Sequence, residues 1–183
     1  AMAHMTCATA GRVEMRRIFE LIRDAGIENV LALRGDPPAD QPGFVRPRDG
    51  FGYACELVRF IKEGGFDFCL AGAAYPEKHP EAPSADVDLQ HLKTKVDAGV
   101  DLLITQMFYR NADYFAFVSR ARAIGITVPI VAGIMPITNV AQIERIAKLS
   151  GACIPPELQS DLDRTRGDEA GAREVGIAYA IRQ

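Results

Sequence analysis

Four stretches of this 183-residue chain repeat one pattern: a polar-apolar helical stripe, a glycine, a short spacer, then an unbroken apolar run. The runs stand in "DAGIENVLALRGD", "EGGFDFCLAGAAYP", "DAGVDLLITQMFYR" and "AIGITVPIVAGIMP". A strand with one wet face alternates, whereas a run such as "NVLAL" or "LLIT" fits a strand buried on both faces, as in a parallel sheet. The spacing predicts five strands: "AHMTC", "NVLAL", "FCLAGAAY", "LLITQMFY" and "PIVAGIM". Between them, apolar residues return at helical spacing: Met15, Ile18, Phe19 and Ile22; Ala85, Leu89, Leu92 and Val96; Tyr114, Phe115, Val118 and Ala121. Gly26, Gly65, Gly99 and Gly125 occupy the left-handed position that closes a helix, and Ser84, Asn111 and Thr138 are placed as N-caps. Strands recurring every roughly 30 residues with helices between them predict an alternating α/β protein with parallel strands.

Five strands suit an open doubly wound sheet, and a closed barrel needs eight. A GxGxxG turn after the early strands is missing, which weakens a dinucleotide-binding reading. The strand ends instead carry polar groups: Arg34 and Asp36, Tyr75 and His79, Gln106, with Gln142 later. Polar groups at the C-terminal ends of several strands are the habit of barrel enzymes. The polar stretch 158–174 reads as a surface loop with helix, and 41–51 as an exposed excursion.

Composition narrows the picture. Hydrophobic residues make up 48% and charged residues 25%, ordinary for one globular domain with a sizeable core. A net charge of −3 offers no basic face to a nucleic acid. The apolar runs fall short of the roughly 20 residues of a membrane helix. The first ten residues show no secretion signal. Cys7, Cys55, Cys69 and Cys153 are scattered, as reduced thiols of a cytoplasmic protein would be. His4 and Cys7 lie close together, but no second pair completes a zinc set, so no metal is expected.

Each polar strand end has two readings. Arg34 and Asp36 in "LALRGDPP" stand where the chain surfaces, and Pro37 and Pro38 end the strand. They also supply a forked phosphate donor and a carboxylate with a stiffened backbone behind it. His79 in "AAYPEKHPEA" is either a solvated loop histidine or a ligand group, and Tyr75 offers a ring to a planar molecule. Gln106 either satisfies a neighbouring backbone group or reads the donor–acceptor edge of a heterocycle. Lys93 and Lys95, following Asp86 and Asp88, complement the helix dipole, and Lys95 can meet a phosphate.

Taken together, "AHMTC", "GIENVLALRGDPP", "AAYPEKHPEA", "DLQHLKTKVDAGVDLLITQMFY" and "GITVPIVAGIMPI" resemble the methylenetetrahydrofolate reductase family, collinearly and over most of the chain. The resemblance implies a (β/α)8 TIM barrel with FAD at its strand ends. Strands three to seven would be present, the first two and the last missing, and residues 1–183 would form one partial catalytic barrel domain. It implies reduction of 5,10-methylenetetrahydrofolate to 5-methyltetrahydrofolate by NADH or NADPH, the two substrates reacting in turn through one flavin, within the one-carbon metabolism that serves methionine synthesis.

Carried over by position, the cofactor-binding residues are His4, Arg34, Gly35, Asp36, Tyr53, Ala54, Tyr75, His79, Ala82, Asp88, His91 and Lys95. Asp36, Gln106 and Gln142 would meet the folate. Asp36 would also act electrostatically in the folate half-reaction. The family's proton-donating glutamate has no counterpart in this chain. His91 and Thr94 depart from the asparagine and arginine that occur in the family, which would leave the phosphate arm one cation fewer. The resemblance implies a small-molecule folate as partner, and neither nucleic acid nor membrane is expected. Phe and Ile on outer helix faces are available for a homo-oligomer. The alternatives are a barrel scaffold that has lost catalysis, and a flavin-free, pterin-binding methyl-transfer enzyme.

Overall fold

The computed structural model describes residues 1–8, 10–36 and 47–183. Among these, strands and helices alternate as β1 (Met2–Thr6), α1 (Arg12–Asp24), β2 (Asn29–Leu33), α2 (Ala54–Glu63), β3 (Cys69–Ala74), α3 (Ala85–Asp97), β4 (Leu102–Thr105), α4 (Asn111–Ala123) and β5 (Ile130–Val131). Three helices follow: α5 (Val140–Ser150), α6 (Pro156–Asp163) and α7 (Glu169–Arg182). The five strands form one sheet in the order β1-β2-β3-β4-β5. It is a parallel sheet, with β1 on β2 in register from Met2↔Asn29 to Thr6↔Leu33, and β2 on β3 from Asn29↔Cys69. Among the described residues strand order follows chain order without reversal, so these strands show no topological switch point of the doubly wound kind.

The chain divides into two compact units. The first comprises Ala1–Ala73, His91–Ile104 and Ile126–Ile130. Its strands bury Val30, Ala32, Leu70 and Leu103 completely, which explains the unbroken apolar runs. Met15 and Phe19 of α1 and Leu57, Val58 and Ile61 of α2 are sealed as well. Phe19, Phe66 and Phe68 gather with ring centroids 5.6–6.0 Å apart. The expected helix-closing glycines are left-handed; Gly26 and Gly65 each have φ 73°, where a side chain would be strained.

The second unit comprises Ala74–Gln90, Thr105–Gly125 and Val131–Gln183. Met107, Tyr109, Ile137, Ile143, Leu158 and Leu162 lie at its apolar centre. Helix α7 comes so close to Ile137 that a Cβ on Gly176 would stand 1.9 Å from the Ile137 carbonyl oxygen.

Five sequence expectations need correction here. The fourth strand stops at Thr105, short of the expected Tyr109, and the fifth covers only Ile130–Val131. Beyond β5 the Gly133 N–H turns to Thr105 Oγ1 at 2.9 Å, with the Gly133 Cβ position 2.1 Å from the Thr105 carbonyl oxygen. That approach ends extended pairing. On α4 the sealed residues are Phe117 and Ala121, whereas Phe115 is 65% exposed. Tyr114 of the expected stripe stacks on buried Phe108, centroids 5.2 Å apart, so the inward face runs through Tyr114, Phe117 and Ala121 and leaves Phe115 outside. Ser84 does cap α3, its hydroxyl accepting from Val87 N–H, but Asn111 is already helical and its amide donates to the Gln183 carbonyl. Asn139, not Thr138, caps α5 by accepting from Gln142 N–H at 2.9 Å. The polar stretch 158–174 does combine helix with loop, as expected: α6 ends at Asp163 and α7 begins at Glu169, Leu158, Leu162 and Ala172 are buried, and Asp163 accepts from both Gln159 and Arg166.

Candidate functional site

In the first unit β2 ends at Leu33 and Arg34, Gly35 and Asp36 follow directly. Cys7 N–H is shared between the Leu33 and Arg34 carbonyls, both at 3.1 Å, which fixes the bend. Gly35 has φ 74°, and a Cβ there would stand 2.7 Å from Thr6 Cβ, so only glycine fits. Arg34 keeps its side chain mostly covered, at 25% exposure, while Asp36 is 96% exposed. Their charged groups are 3.9 Å apart, the outer limit of an ion pair. Pro37, Pro38 and residues 41–46 of the expected excursion lie outside the described residues.

The other candidates of this unit vary in exposure. His4 is exposed on β1, Tyr53 is the exposed residue before α2, and Ala54 is buried as that helix begins. On α3, His91 is exposed and Lys95 half-buried. Lys95 Nζ donates to the Ala73 carbonyl at 2.7 Å.

In the second unit Tyr75 follows β3 directly and meets His79 edge-on, ring centroids 4.6 Å apart at 67°. The segment after it is held by its own polar groups. His79 N–H donates to Asp88 Oδ2 at 2.9 Å, and Glu81 N–H to His79 Nδ1 at 3.1 Å. Lys78 Nζ donates to the Ala82 carbonyl at 2.5 Å. Both carboxylate oxygens of Glu77 accept from Cys153 N–H, at 2.9 and 3.2 Å. Side chains as well as Pro76 and Pro80 therefore brace "AAYPEKHPEA". The Glu77 and Lys78 contacts were not foreseen, since each pairs with a backbone group that has no sequence signature. Because His79 Nδ1 accepts, the proton of the neutral ring resides on Nε2. Ala82 is buried, and Asp88 shapes the loop as the acceptor for His79.

Gln106 follows β4, and its backbone N–H donates to the Ala74 carbonyl at 2.7 Å. Its Oε1 accepts from the adjacent Met107 N–H at 2.9 Å, so the amide turns its NH₂ end away from that contact. This is the neighbouring-backbone arrangement, and it leaves the donor end for recognition. Gln142 is exposed in the first turn of α5. Among the described residues no cluster of His, Cys, Asp or Glu has a metal-holding arrangement, and no helix is long and apolar enough to cross a membrane.

A sequence profile described as methylenetetrahydrofolate reductase matches residues 1–183. The chain belongs to the methylenetetrahydrofolate reductase family. Methylenetetrahydrofolate reductase (NADH) 1 of Arabidopsis thaliana is 41% identical over 98% of this chain and 32% of its own length. The 5,10-methylenetetrahydrofolate reductase of Pectobacterium carotovorum is 38% identical over 99% of this chain and 58% of its own length. A Caenorhabditis elegans relative, named as a probable NADPH-dependent reductase, is 39% identical over 98% of this chain and 27% of its own length. The chain thus spans about a third or less of these plant and animal relatives and under three fifths of the bacterial one. Among solved structures, a Clostridium thermocellum protein said to bind two copies of 5-methyl-5,6,7,8-tetrahydrofolic acid superposes with a TM-score of 0.58. The match is at 17% identity over 98% of this chain and 59% of the other, a likeness of fold.

Proposed function

We propose that this chain is the flavin- and folate-binding part of a methylenetetrahydrofolate reductase that reduces 5,10-methylenetetrahydrofolate with NADH or NADPH. In this reading its five strands belong to a (β/α)8 barrel in a single catalytic domain. The observation that carries the proposal is that Arg34–Asp36, Tyr75 and Gln106 each directly follow a strand of a parallel sheet whose order never reverses. That is the arrangement by which barrels present chemistry. Relatives named for this reaction, at about 40% identity, support it.

The side chains suit FAD, a planar ring system joined to two phosphates. Arg34 and Lys95 provide the first unit's cations for the phosphate arm, and His4 and Tyr53 lie exposed there. In the second unit Tyr75 and His79 give a half-buried aromatic surface set on a braced loop. Bound FAD would supply two-electron transfer between nicotinamide and folate in turn. The chain's own contribution is placement and charge. Asp36, exposed and negative, favours positive charge developing on the folate, and Gln106 offers N–H donors to acceptors of the pterin. Four cysteines not joined in disulfides fit a reducing, cytoplasmic setting.

The test is the colour of the full-length protein. It should purify yellow, bleach under anaerobic NADH or NADPH, and recover its colour on adding methylenetetrahydrofolate. A colourless protein that does not take up FAD overturns the reading. One that binds FAD but is never bleached is a scaffold without this chemistry.

A further inference from the structure

Lys95 leaves the last turn of α3 and ends at the Ala73 carbonyl, one residue before β3 finishes. To reach it, the aliphatic stem crosses β3 beside Gly72. A Cβ on Gly72 would stand 3.0 Å from Lys95 Cδ and 3.3 Å from Val100 Cγ2. The missing side chain is therefore the space in which the stem lies. This glycine is not explained by backbone conformation, because it is not among those with positive φ. Nor does strand stability call for it, since glycine weakens a strand interior. An ammonium carried on four flexible carbons is ordinarily dispersed over many rotamers; here packing along the strand and a carbonyl acceptor restrict it.

We propose that Gly72 is a positioning residue for the anionic arm of the cofactor, clearing the path along which Lys95 delivers its ammonium to the C-terminal end of β3. The inference rests on the flavin reading above and adds to it a residue that touches no ligand. Replacing Gly72 by alanine pushes on Lys95 first, because the stem is the most flexible neighbour. The cation shifts while the sheet stays. Affinity falls for a ligand with phosphates and holds for one without.

The experiment measures dissociation constants of FAD and riboflavin for the full-length protein, by flavin fluorescence at several salt concentrations. Lys95→Met should weaken FAD roughly tenfold, the scale of one charge-assisted hydrogen bond. Gly72→Ala should weaken it by about threefold to tenfold, and both should flatten its salt dependence. Riboflavin affinity should stay within about twofold in each. Because the two changes act through one cation, Gly72→Ala added to Lys95→Met should cost nothing further. Equal losses for FAD and riboflavin, or additive losses in the double variant, overturn the inference. If Gly72→Ala does not fold, Gly72→Ala with Lys95→Ala decides. Folding restored by emptying the stem's path supports the shared space, and failure to fold overturns it. A wild-type protein that binds neither flavin removes the flavin reading itself. A wild type that binds FAD no more tightly than Gly72→Ala does overturns this inference alone.

Discussion

Arg34 and Asp36 are two residues apart, yet one side chain is 25% exposed and the other 96%. Gly35 between them has φ 74° in a space where a Cβ would stand 2.7 Å from Thr6 Cβ, and the chain bends there before the exposed carboxylate. An exposed carboxylate 3.9 Å from its guanidinium is weakly engaged and keeps its charge available for a ligand. Asp36→Asn in the full-length protein should therefore slow the folate half-reaction at least about tenfold, the effect of losing one charge aimed at a developing cation. Flavin reduction by the nicotinamide should change much less. Stopped-flow measurement of the two half-reactions checks this, and equal slowing removes the electrostatic role. Gln106→Ala should raise the folate dissociation constant and leave FAD bound. Unchanged folate affinity would mean the amide serves only Met107 N–H. These residues were legible in the sequence because polar groups at the ends of apolar runs are conspicuous. Gly72 was not, since a space is visible only once its neighbours are in place.

At the scale of elements, legibility followed the strength of the local signal. The strands "NVLAL" and "FCLAGAAY" were recognisable because burial on both faces writes an uninterrupted apolar run, and they are strands at Asn29–Leu33 and Cys69–Ala74. The run "PIVAGIM" is equally apolar but yields two strand residues, because Gly133 is drawn against Thr105. That tertiary contact leaves no local trace. Helix α4 was misphased for a similar reason, its aromatic neighbours Tyr114 and Phe115 being nearly equal in hydrophobicity while only the former stacks on Phe108. For α5 the sequence points to Thr138 as the cap, and the structure has Asn139, one residue later. Asn139→Ala should cost about 1 kcal/mol of stability in chemical denaturation, as loss of a side-chain cap does. Thr138→Ala should cost far less. The reverse ranking would put the helix start one residue earlier.

At the scale of the whole molecule, the displaced titrations define a pH window, and these groups all lie in the second unit. Glu144 is held below the usual carboxylate range by its hydrogen bonds from Arg166 and then Gln159, and Asp163 by those from Gln159 and then Arg166. A carboxyl whose folded pKa is depressed stabilises above its unfolded value, about pH 4, and that stability is lost as pH falls through the folded value. The tyrosines act on the other side. Burial, and next the neighbouring Tyr179, raises Tyr109, while burial and then Glu157 raise Tyr179, whose hydroxyl donates to the Tyr109 carbonyl at 2.6 Å. Their stability is complete below the unfolded value, about pH 10, and is lost as pH rises beyond it. Stability should therefore plateau between about pH 5 and pH 9 and fall on both sides. The alkaline fall should be the steeper, because Tyr109 is sealed while the carboxylates face water. Denaturation midpoints across this range, with tyrosinate absorbance followed in parallel, measure both limbs. Arg166→Met should flatten the acid limb and leave the alkaline one unchanged. An unaltered acid limb, or five tyrosines titrating as one class near pH 10 while the protein stays folded, would show that these contacts do not set the window.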